Sequence, residues 1–223
     1  MDCAANGRMT APLVVFGELC RQALKSDISM ETKITRLGEL SAEEEIPEAD
    51  ILSSLESAAS KGDSLGGIIR TVIKGAPAGL GEPFFEGFEA KLSSMLFSVP
   101  ALISLSFGDA DIACRGTGSH VNDEIHSDCG EIHTRTNHCG GLNGGMTNGE
   151  DIVFSCGFKP TPSVAAPLNT VNLKGEEILY QNNGRNDPCV MLRAIPVVEA
   201  CAWYCLYYFT GKMLSETKNE RAK

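Results

Sequence analysis

The chain has 223 residues, a formal net charge of −10 at pH 7 and a hydrophobic content of 43%. This length allows one large domain or two small ones, and the hydrophobic fraction is sufficient for a buried core. The acidic balance argues against a nucleic-acid-binding protein, because phosphate backbones bind basic surfaces. Nine scattered cysteines and a start without a secretory signal indicate reduced thiols, so we expect a cytoplasmic protein.

Hydrophobic periodicity predicts alternating helices and strands in the first half of the chain. The predicted helices cover residues 13–24, 49–61 and 82–99, and the predicted strands cover residues 28–40, 64–74 and 101–107. Gly62 is a natural stop for the second helix. This order is typical of sheets packed against paired helices, so we expect an α+β fold.

The second half begins with a polar connection over residues 108–138 that shows little periodicity. Connections of this length inside compact domains are usually functional or disordered. Strands are then predicted at residues 152–158 and 164–173, where apolar and β-branched residues concentrate.

A closing helix is predicted from Pro188 or Pro196 to Lys212. Its apolar run contains Glu199 and Lys212, so it is predicted to be a buried helix rather than a membrane span. Residues 215–223 are expected to form a charged, frayed tail.

The stretch from 137 to 189 combines glycines with charged residues. Five glycines between positions 140 and 149 permit positive φ, and rows of exposed N–H groups in such turns bind anions. Lys159 and Arg185 add positive charge, and Asp187 adds a carboxylate. On residue pattern alone, a solvated lysine, an ordinary turn and a helix cap at Asp187 before Pro188 explain the same features.

These motifs together resemble the chorismate synthase family. Residues 141–163 are similar to its Gly-Gly-x-x-Gly-Gly-x-x-x-Gly run that leads into Lys-Pro-Thr. Residues 184–189 resemble its Gly-Arg-His-Asp-Pro-Cys motif, with Asn186 in place of the histidine. The resemblance covers residues 12–214, including motifs at 62–67, 79–83 and 118–123, and leaves residues 1–11 unmatched.

The resemblance implies the β-α-β sandwich of this family, here incomplete at its N-terminus, and a homotetramer. It also implies a lyase of the shikimate pathway for aromatic amino-acid biosynthesis. That enzyme eliminates phosphate from 5-enolpyruvylshikimate 3-phosphate in a 1,4-anti reaction that forms chorismate and needs reduced FMN. Some members reduce the flavin with NADPH. No metal, nucleic acid or membrane partner is expected.

The motif match also implies roles for individual residues. Asp187 falls on the family's catalytic aspartate, which is thought to help deprotonate the flavin. The residues implied to line the flavin are Pro100, Ala101, Gly144, Lys159, Pro160, Thr161, Pro162, Ser163 and Arg185. We therefore expect Gly144, Lys159, Arg185 and Asp187 to converge on one pocket.

The sequence departs from the family pattern in several motifs. It lacks the Phe-Gly-Glu-Ser-His-Gly motif with its catalytic histidine, a second catalytic histidine, several substrate-binding arginines and the Arg-Ser-Ser segment that contacts flavin. Arg70 stands where the family often has glutamate. Because general acid–base groups contribute about 10²–10⁴-fold each, we expect this chain alone to be very slow or inactive.

Two alternatives remain open at this point. One is a zinc-binding module, because the side chains between 114 and 139 include the zinc-ligand types His120, His126, His133, His138, Cys114, Cys129 and Cys139. Its weakness is spacing, since the sequence has no Cys-x-x-Cys pair. The other alternative is a non-catalytic homologue that binds partners.

Overall fold

The computed structural model describes residues 7–24, 27–182, 184 and 186–221. The helices among these residues are α1 Ala11–Leu24, α2 Glu48–Ser60, α3 Phe88–Leu96, α4 Ala110–Arg115, α5 Gly118–Val121 and α6 Met191–Arg221. The strands are β1 Ser29–Leu37, β2 Leu40–Ser41, β3 Gly67–Lys74, β4 Leu102–Phe107, β5 Ile125–Asp128, β6 Glu131–Thr134, β7 Leu142–Asn143, β8 Met146–Thr147, β9 Ile152–Phe158, β10 Leu168–Val171 and β11 Glu177–Tyr180. Short 3-10 turns occupy Gly7–Thr10 and Phe84–Glu86. The predicted α+β class is confirmed.

The main sheet has five antiparallel strands in the order β2-β1-β3-β9-β4. Its central pair is β3 and β9, in which Ile73 lies opposite Ile152 and Gly67 lies opposite Phe158. The seven residues of β9 rise by about 3.4 Å each, so the two ends of this strand lie roughly 20 Å apart. The other strands form three separate hairpins, β5-β6, β7-β8 and β10-β11.

Helices α1, α3 and α6 pack with one face of this sheet to form the core. Ile69 and Ile73 on β3 are fully buried, whereas Ile68 and Val72, which point to the opposite face, are half-buried. This alternation is the period of two that side chains have along a strand. It agrees with the predicted strand at residues 64–74.

The predicted helix over residues 82–99 is shorter than expected. Helix α3 begins at Phe88 because Gly87 is extended, with φ −61° and ψ 151°. Phe84 takes a positive φ of 62°, which bulky residues rarely adopt. The N–H of Phe88 donates to the carbonyl of Gly145 at 2.8 Å, so a distant hairpin fixes the start of the helix.

Two further predictions differ from the structure in the second half. The connection over 108–138 contains α4, α5 and the β5-β6 hairpin rather than a structureless loop. The strand predicted at 164–173 is limited to β10, because Pro167 immediately precedes it and a turn follows at Asn172. Both hairpins lie outside the main sheet.

Helix α6 begins between the two predicted starts and extends beyond the predicted end. It starts at Met191, contains Pro196 and continues to Arg221, so the charged segment up to that residue is helical rather than frayed. Its central residues Val198 and Leu206 are fully buried, as predicted. None of the helices within the described residues is both long and apolar enough to cross a membrane.

Candidate functional site

One end of the main sheet brings together most of the residues implied by the sequence motifs. At this end β9 stops at Phe158, β3 starts at Gly67 and β4 starts at Leu102. We call it the Lys159 end and define it by residues 62–67, 100–102, 158–163 and 186–188. The opposite end, which carries the β7-β8 hairpin, is called the Gly144 end.

Lys159 and Ala101 are joined across the Lys159 end. The N–H of Lys159 donates to the carbonyl oxygen of Ala101 at 3.0 Å. Ala101 has a φ of 69°, a left-handed conformation that costs a non-glycine residue roughly 1–2 kcal/mol. Strain of this kind clusters at functional sites, where the surrounding structure holds it in place. Pro100 and Ala101 are both half-buried beside the start of β4.

The loop from Pro160 to Ser163 is held by the segment that precedes β3. The hydroxyl of Ser64 donates to the carbonyl of Thr161 at 2.7 Å. A Cβ on Gly66 would lie 2.8 Å from Cδ of Pro160, so only glycine permits this approach. The 62–67 motif therefore positions the loop, a role that the sequence analysis did not assign to it.

Asp187 reaches the same end through its neighbours. The N–H of Leu65 donates to the carbonyl of Pro188 at 2.7 Å. In the amide orientation that best satisfies its neighbours, the side-chain nitrogen of Asn186 donates to the carbonyl of Ser163 at 2.8 Å. These bonds bring the Asp187 segment against the Pro160–Ser163 loop. Arg185 lies outside the described residues.

The Asp187 carboxylate has two partners of its own. One oxygen accepts from the N–H of Cys189 at 3.2 Å, which is a turn-capping interaction. The other lies 3.1 Å from Nε of Arg193, whose side chain is 77% exposed. Sequence reasoning missed Arg193, although an arginine in the first turn of the following helix was a visible signal. The helix-cap explanation and the catalytic one both fit this geometry.

The Lys159 end has polar groups that the described residues do not satisfy. The hydroxyl oxygen of Thr161 is buried and has no hydrogen-bond partner among the described residues. An unsatisfied buried polar group costs about 1–3 kcal/mol, so such groups usually have a ligand, water or ion as partner. Lys159 is exposed and forms no ion pair with any described residue. A hydroxyl and a cation two residues apart fit a polar, anionic ligand such as a flavin phosphate.

Gly144 does not join this group. It lies in the β7-β8 hairpin, where the N–H of Thr147 donates to the carbonyl of Leu80 at 2.9 Å. That hairpin precedes the start of β9, roughly 20 Å from Lys159 by the length of the strand. Within one chain, Gly144 therefore lies at the opposite end of the sheet from Lys159 and Asp187.

Much of the glycine-rich run is explained by packing. A Cβ on Gly145 would lie 2.7 Å from the carbonyl oxygen of Glu82, and its φ is 89°. At Gly144, in contrast, a Cβ would meet no atom within 4 Å, although φ is 60°. The hairpin therefore needs Gly145 for close approach, whereas Gly144 leaves open space at the surface.

The zinc-ligand side chains fall into separate pairs. The ring centroids of His126 and His133 are 6.2 Å apart, and those of His120 and His138 are 6.4 Å apart. Across the described ranges, no three histidine, cysteine or acidic side chains are grouped so that they could hold a metal ion. The zinc alternative thus has no support from the geometry.

His138 has a structural partner instead. Its Nδ1 lies 3.1 Å from Oδ2 of Asp109, and the other oxygen of Asp109 accepts from Arg70 at 3.3 Å. This chain of contacts ties the connection after β4 to the middle of β3. Arg70, which departs from the family's usual glutamate, is accommodated by Asp109.

The buried cysteines are poor nucleophiles and poor thiolate ligands. Burial raises the pKa of Cys156 to about 12 and that of Cys201 to about 11. Burial is also the main cause that raises the pKa of Cys139, to which a hydrogen bond with Asp123 adds. Thiolate chemistry is therefore disfavoured at these three positions.

Known proteins are similar to this chain in sequence and in fold. A family model described as chorismate synthase matches residues 4–210. The chorismate synthase of Akkermansia muciniphila is 39% identical over 178 residues, which are 80% of this chain and 48% of that protein. The chorismate synthase of Chitinophaga pinensis is 37% identical over 217 residues, which are 97% of this chain and 61% of that protein.

A solved crystal structure of a chorismate synthase also matches the fold, with a TM-score of 0.76 and 22% identity over 92% of this chain and 64% of that chain. The chain spans about half the length of the curated relatives it matches. The predicted fold type and family are confirmed by these matches. The chain belongs to the chorismate synthase family.

Proposed function

We propose that the Lys159 end contributes the flavin-binding part of a chorismate synthase active site. The reaction is the 1,4-anti elimination of phosphate from 5-enolpyruvylshikimate 3-phosphate, with reduced FMN as cofactor. The observation that carries this proposal is the buried hydroxyl of Thr161, which has no hydrogen-bond partner among the described residues, in the same loop as the exposed Lys159. The proposed family domain spans residues 12–214.

Reduced FMN, when bound, supplies the electron-rich ring that assists loss of the phosphate. Lys159 binds an anionic group of the cofactor, and the hydroxyl of Thr161 forms a hydrogen bond to it. Pro160, Pro162 and Ser163 complete the loop that shields this contact from water. Pro100 and Ala101 form the adjacent wall through the bond between Ala101 and Lys159.

Asp187 is proposed to accept a proton, and Arg193 to position its carboxylate. The Arg193 contact at 3.1 Å leaves the carboxylate half-buried beside the loop. A carboxylate with a fixed orientation near the cofactor is suited to general acid–base catalysis. Arg185, two residues before Asp187, is proposed as a further cofactor contact on the motif match alone.

Gly144 is proposed to contact the cofactor of a neighbouring copy. One chain separates it from Lys159 by roughly 20 Å, which exceeds the reach of a single ring system. An assembly of several copies, such as the family's tetramer, removes this difficulty because the two sheet ends then come from different chains. Gly144 also presents an open, exposed surface for such a contact.

Flavin binding and catalytic turnover are separate predictions for this chain. The sequence contains no Phe-Gly-Glu-Ser-His-Gly motif. General acid–base groups contribute about 10²–10⁴-fold each, so we propose weak or absent turnover for this chain alone. Use of NADPH stays a prediction of the family resemblance, and a cytoplasmic location stays a prediction from the cysteine pattern.

The test is an anaerobic titration with reduced FMN. Lys159→Gln should weaken binding about 10–100-fold, because charge-assisted hydrogen bonds contribute about 1.5–3 kcal/mol. The matched control is Lys74→Gln, which changes an exposed lysine at the opposite end of β3 and should leave binding unchanged. Equal affinities for all three proteins would contradict the proposed site. Chorismate formation under the same conditions measures turnover independently.

A further inference from the structure

Asn186 is the residue at which the 184–189 motif departs from the family pattern, which has histidine there. Its side chain is half-buried. In the amide orientation that best satisfies its neighbours, the nitrogen donates to the carbonyl of Ser163 at 2.8 Å and the oxygen accepts from the N–H of Ala165 at 3.1 Å. The nitrogen also lies 3.0 Å from the side-chain amide of Asn182. We call the bonds to Ser163 and Ala165 the Asn186 clamp.

The other bonds of this loop come from the segment that precedes β3. The N–H of Ala165 also donates to the carbonyl of Gly62 at 2.8 Å, and the Ser64 hydroxyl donates to the carbonyl of Thr161 at 2.7 Å. Across the described residues, the Asn186 clamp supplies the only hydrogen bonds that join the loop directly to the segment of Asp187. The clamp therefore determines how the two segments lie relative to each other.

We infer that Asn186 is a positioning residue of the flavin site, which holds the loop carrying Thr161 in a fixed place relative to the Asp187 carboxylate. This inference rests on the proposed function. Because Asp187 is the next residue along the chain, the clamp also limits where the backbone can place that carboxylate. A cofactor contact and a proton acceptor must keep a fixed mutual geometry if both are to act on one bound ring.

An amide is suited to the clamp because it offers a donor and an acceptor at the same time and carries no charge. A neutral imidazole also offers one of each, but it loses its acceptor on protonation near pH 6.5. A carboxylate offers acceptors alone. Asn186→Asp is therefore a nearly isosteric change that places a carboxylate oxygen against the carbonyl of Ser163, where the amide donates at 2.8 Å.

The test is an anaerobic titration with reduced FMN at several pH values between 8 and 5.5. Asn186→Asp should weaken binding about tenfold at pH 7, the loss expected when one hydrogen bond leaves a half-buried carbonyl unpaired. The ratio of its dissociation constant to that of wild type should fall as the pH falls, because the protonated carboxyl group donates to Ser163 again. Asn169→Asp adds the same charge on the exposed strand β10 and should give a ratio near one throughout.

Asn186→Ala separates the hydrogen bonds from the charge. It removes the clamp without adding a carboxylate, so its dissociation constant should exceed that of wild type by a factor that does not change with pH. In the absence of flavin, hydrogen exchange of amides 161–165 should be faster in both Asn186 variants than in wild type, because the loop is then held from one side only.

Wild-type affinity of Asn186→Asp for reduced FMN, or a ratio that is the same at every pH, would overturn the inference. Hydrogen exchange also keeps the two proposals distinguishable. If the wild-type chain binds no reduced FMN, the proposed function fails, and the exchange rates of amides 161–165 still decide whether the Asn186 clamp exists. Unchanged exchange rates in both variants would contradict the clamp itself.

Discussion

The two ends of β9 carry the two halves of the motif-rich region, and they are built differently. At the Gly144 end, glycines allow backbone segments to touch, as where Gly145 meets Glu82 and Gly87. At the Lys159 end, hydrogen bonds from Ser64 and Leu65 fix a loop whose buried Thr161 hydroxyl has no partner within the described part of the chain.

This difference separates residues that build the fold from residues available for a ligand. Glycines that prevent a backbone clash are required whether or not anything binds, so their presence alone does not indicate a binding site. A buried hydroxyl without a partner lowers the stability of the free protein, and it therefore indicates a partner outside the chain. By this criterion the Lys159 end is the better candidate.

The largest expected effect is at the Gly144 end. Gly145→Ala should reduce the free energy of unfolding by about 3 kcal/mol or more, because the new Cβ would lie 2.7 Å from a backbone oxygen at a positive φ. Gly144→Ala is the matched control, where only the left-handed conformation costs roughly 1–2 kcal/mol. Urea denaturation of both variants measures the difference. Equal losses would show that the adjacent glycines are not distinguished by packing.

Sequence reasoning succeeded where local pattern decided the structure. The strand at 64–74 was correct because β3 alternates buried and half-buried residues. The prediction of a helix over residues 82–99 was wrong at its start. The start of α3 depends on the distant carbonyl of Gly145, which no local pattern reveals. The order of the layers could be predicted, but the attachment of Phe88 to a hairpin 57 positions later along the chain (145 − 88) could not.

The structure brings part of the predicted site together through contacts of the same kind. The segments of Thr161 and Asp187 are held at one end of the sheet by hydrogen bonds from Ser64 and Leu65, contacts that have no periodic signal in the sequence. The separation of Gly144 from Lys159 was already implied by the predicted strand at 152–158, because an extended segment of seven residues holds its ends apart. Closeness of motifs along the chain does not imply closeness in the folded protein.

A second effect at the Gly144 end concerns Asp123, which organises the segment before the glycine-rich run. It accepts from the N–H groups of His138 and Cys139 at 2.7 and 2.9 Å and from the Thr136 hydroxyl at 2.7 Å. Burial opposes ionisation, but these bonds, together with one from the Cys139 thiol, lower the pKa of Asp123 from 3.8 to about 2.

Asp123→Asn should therefore destabilise the protein by about 1–2 kcal/mol at pH 7, after allowance for solvent screening. Because the folded-state pKa is lowered, the ionised group stabilises the fold above pH 4, and this contribution disappears as the pH falls from about 4 to about 2. Urea denaturation at pH 7, 5, 4 and 3 should show the gap between wild type and variant narrowing. Asp128→Asn, at an exposed hairpin tip, is the control. A gap that is independent of pH would contradict the assignment.

A smaller effect of opposite sign is expected at the Lys159 end. Thr161→Val should raise the free energy of unfolding by about 1 kcal/mol, since it removes a buried hydroxyl for which the described residues offer no partner. Thr71→Val should instead be destabilising, because Thr71 is fully buried and its hydroxyl lies 3.1 Å from that of Thr32. Thermal denaturation of the two variants in the absence of flavin measures both changes in stability. If Thr161→Val is destabilising to the same degree, its hydroxyl has a partner within the protein.

The smallest effect on stability is expected for Arg193→Gln, which breaks the ion pair with Asp187. The arginine side chain is 77% exposed, so the pair contributes no more than about 0.5 kcal/mol to folding. Its proposed role is to orient the Asp187 carboxylate, so its effect is expected on cofactor binding rather than on stability. The variant should alter the pH dependence of reduced-flavin binding, whereas its urea denaturation curve should stay close to that of wild type. Arg115→Gln, which breaks an ion pair of a similarly exposed arginine with Asp111 on α4, is the control for surface charge and should change neither property. If Arg193→Gln behaves like this control in both measurements, Asp187 serves only as a cap for the helix that follows, and the proton-transfer role at the Lys159 end has to be assigned to another group.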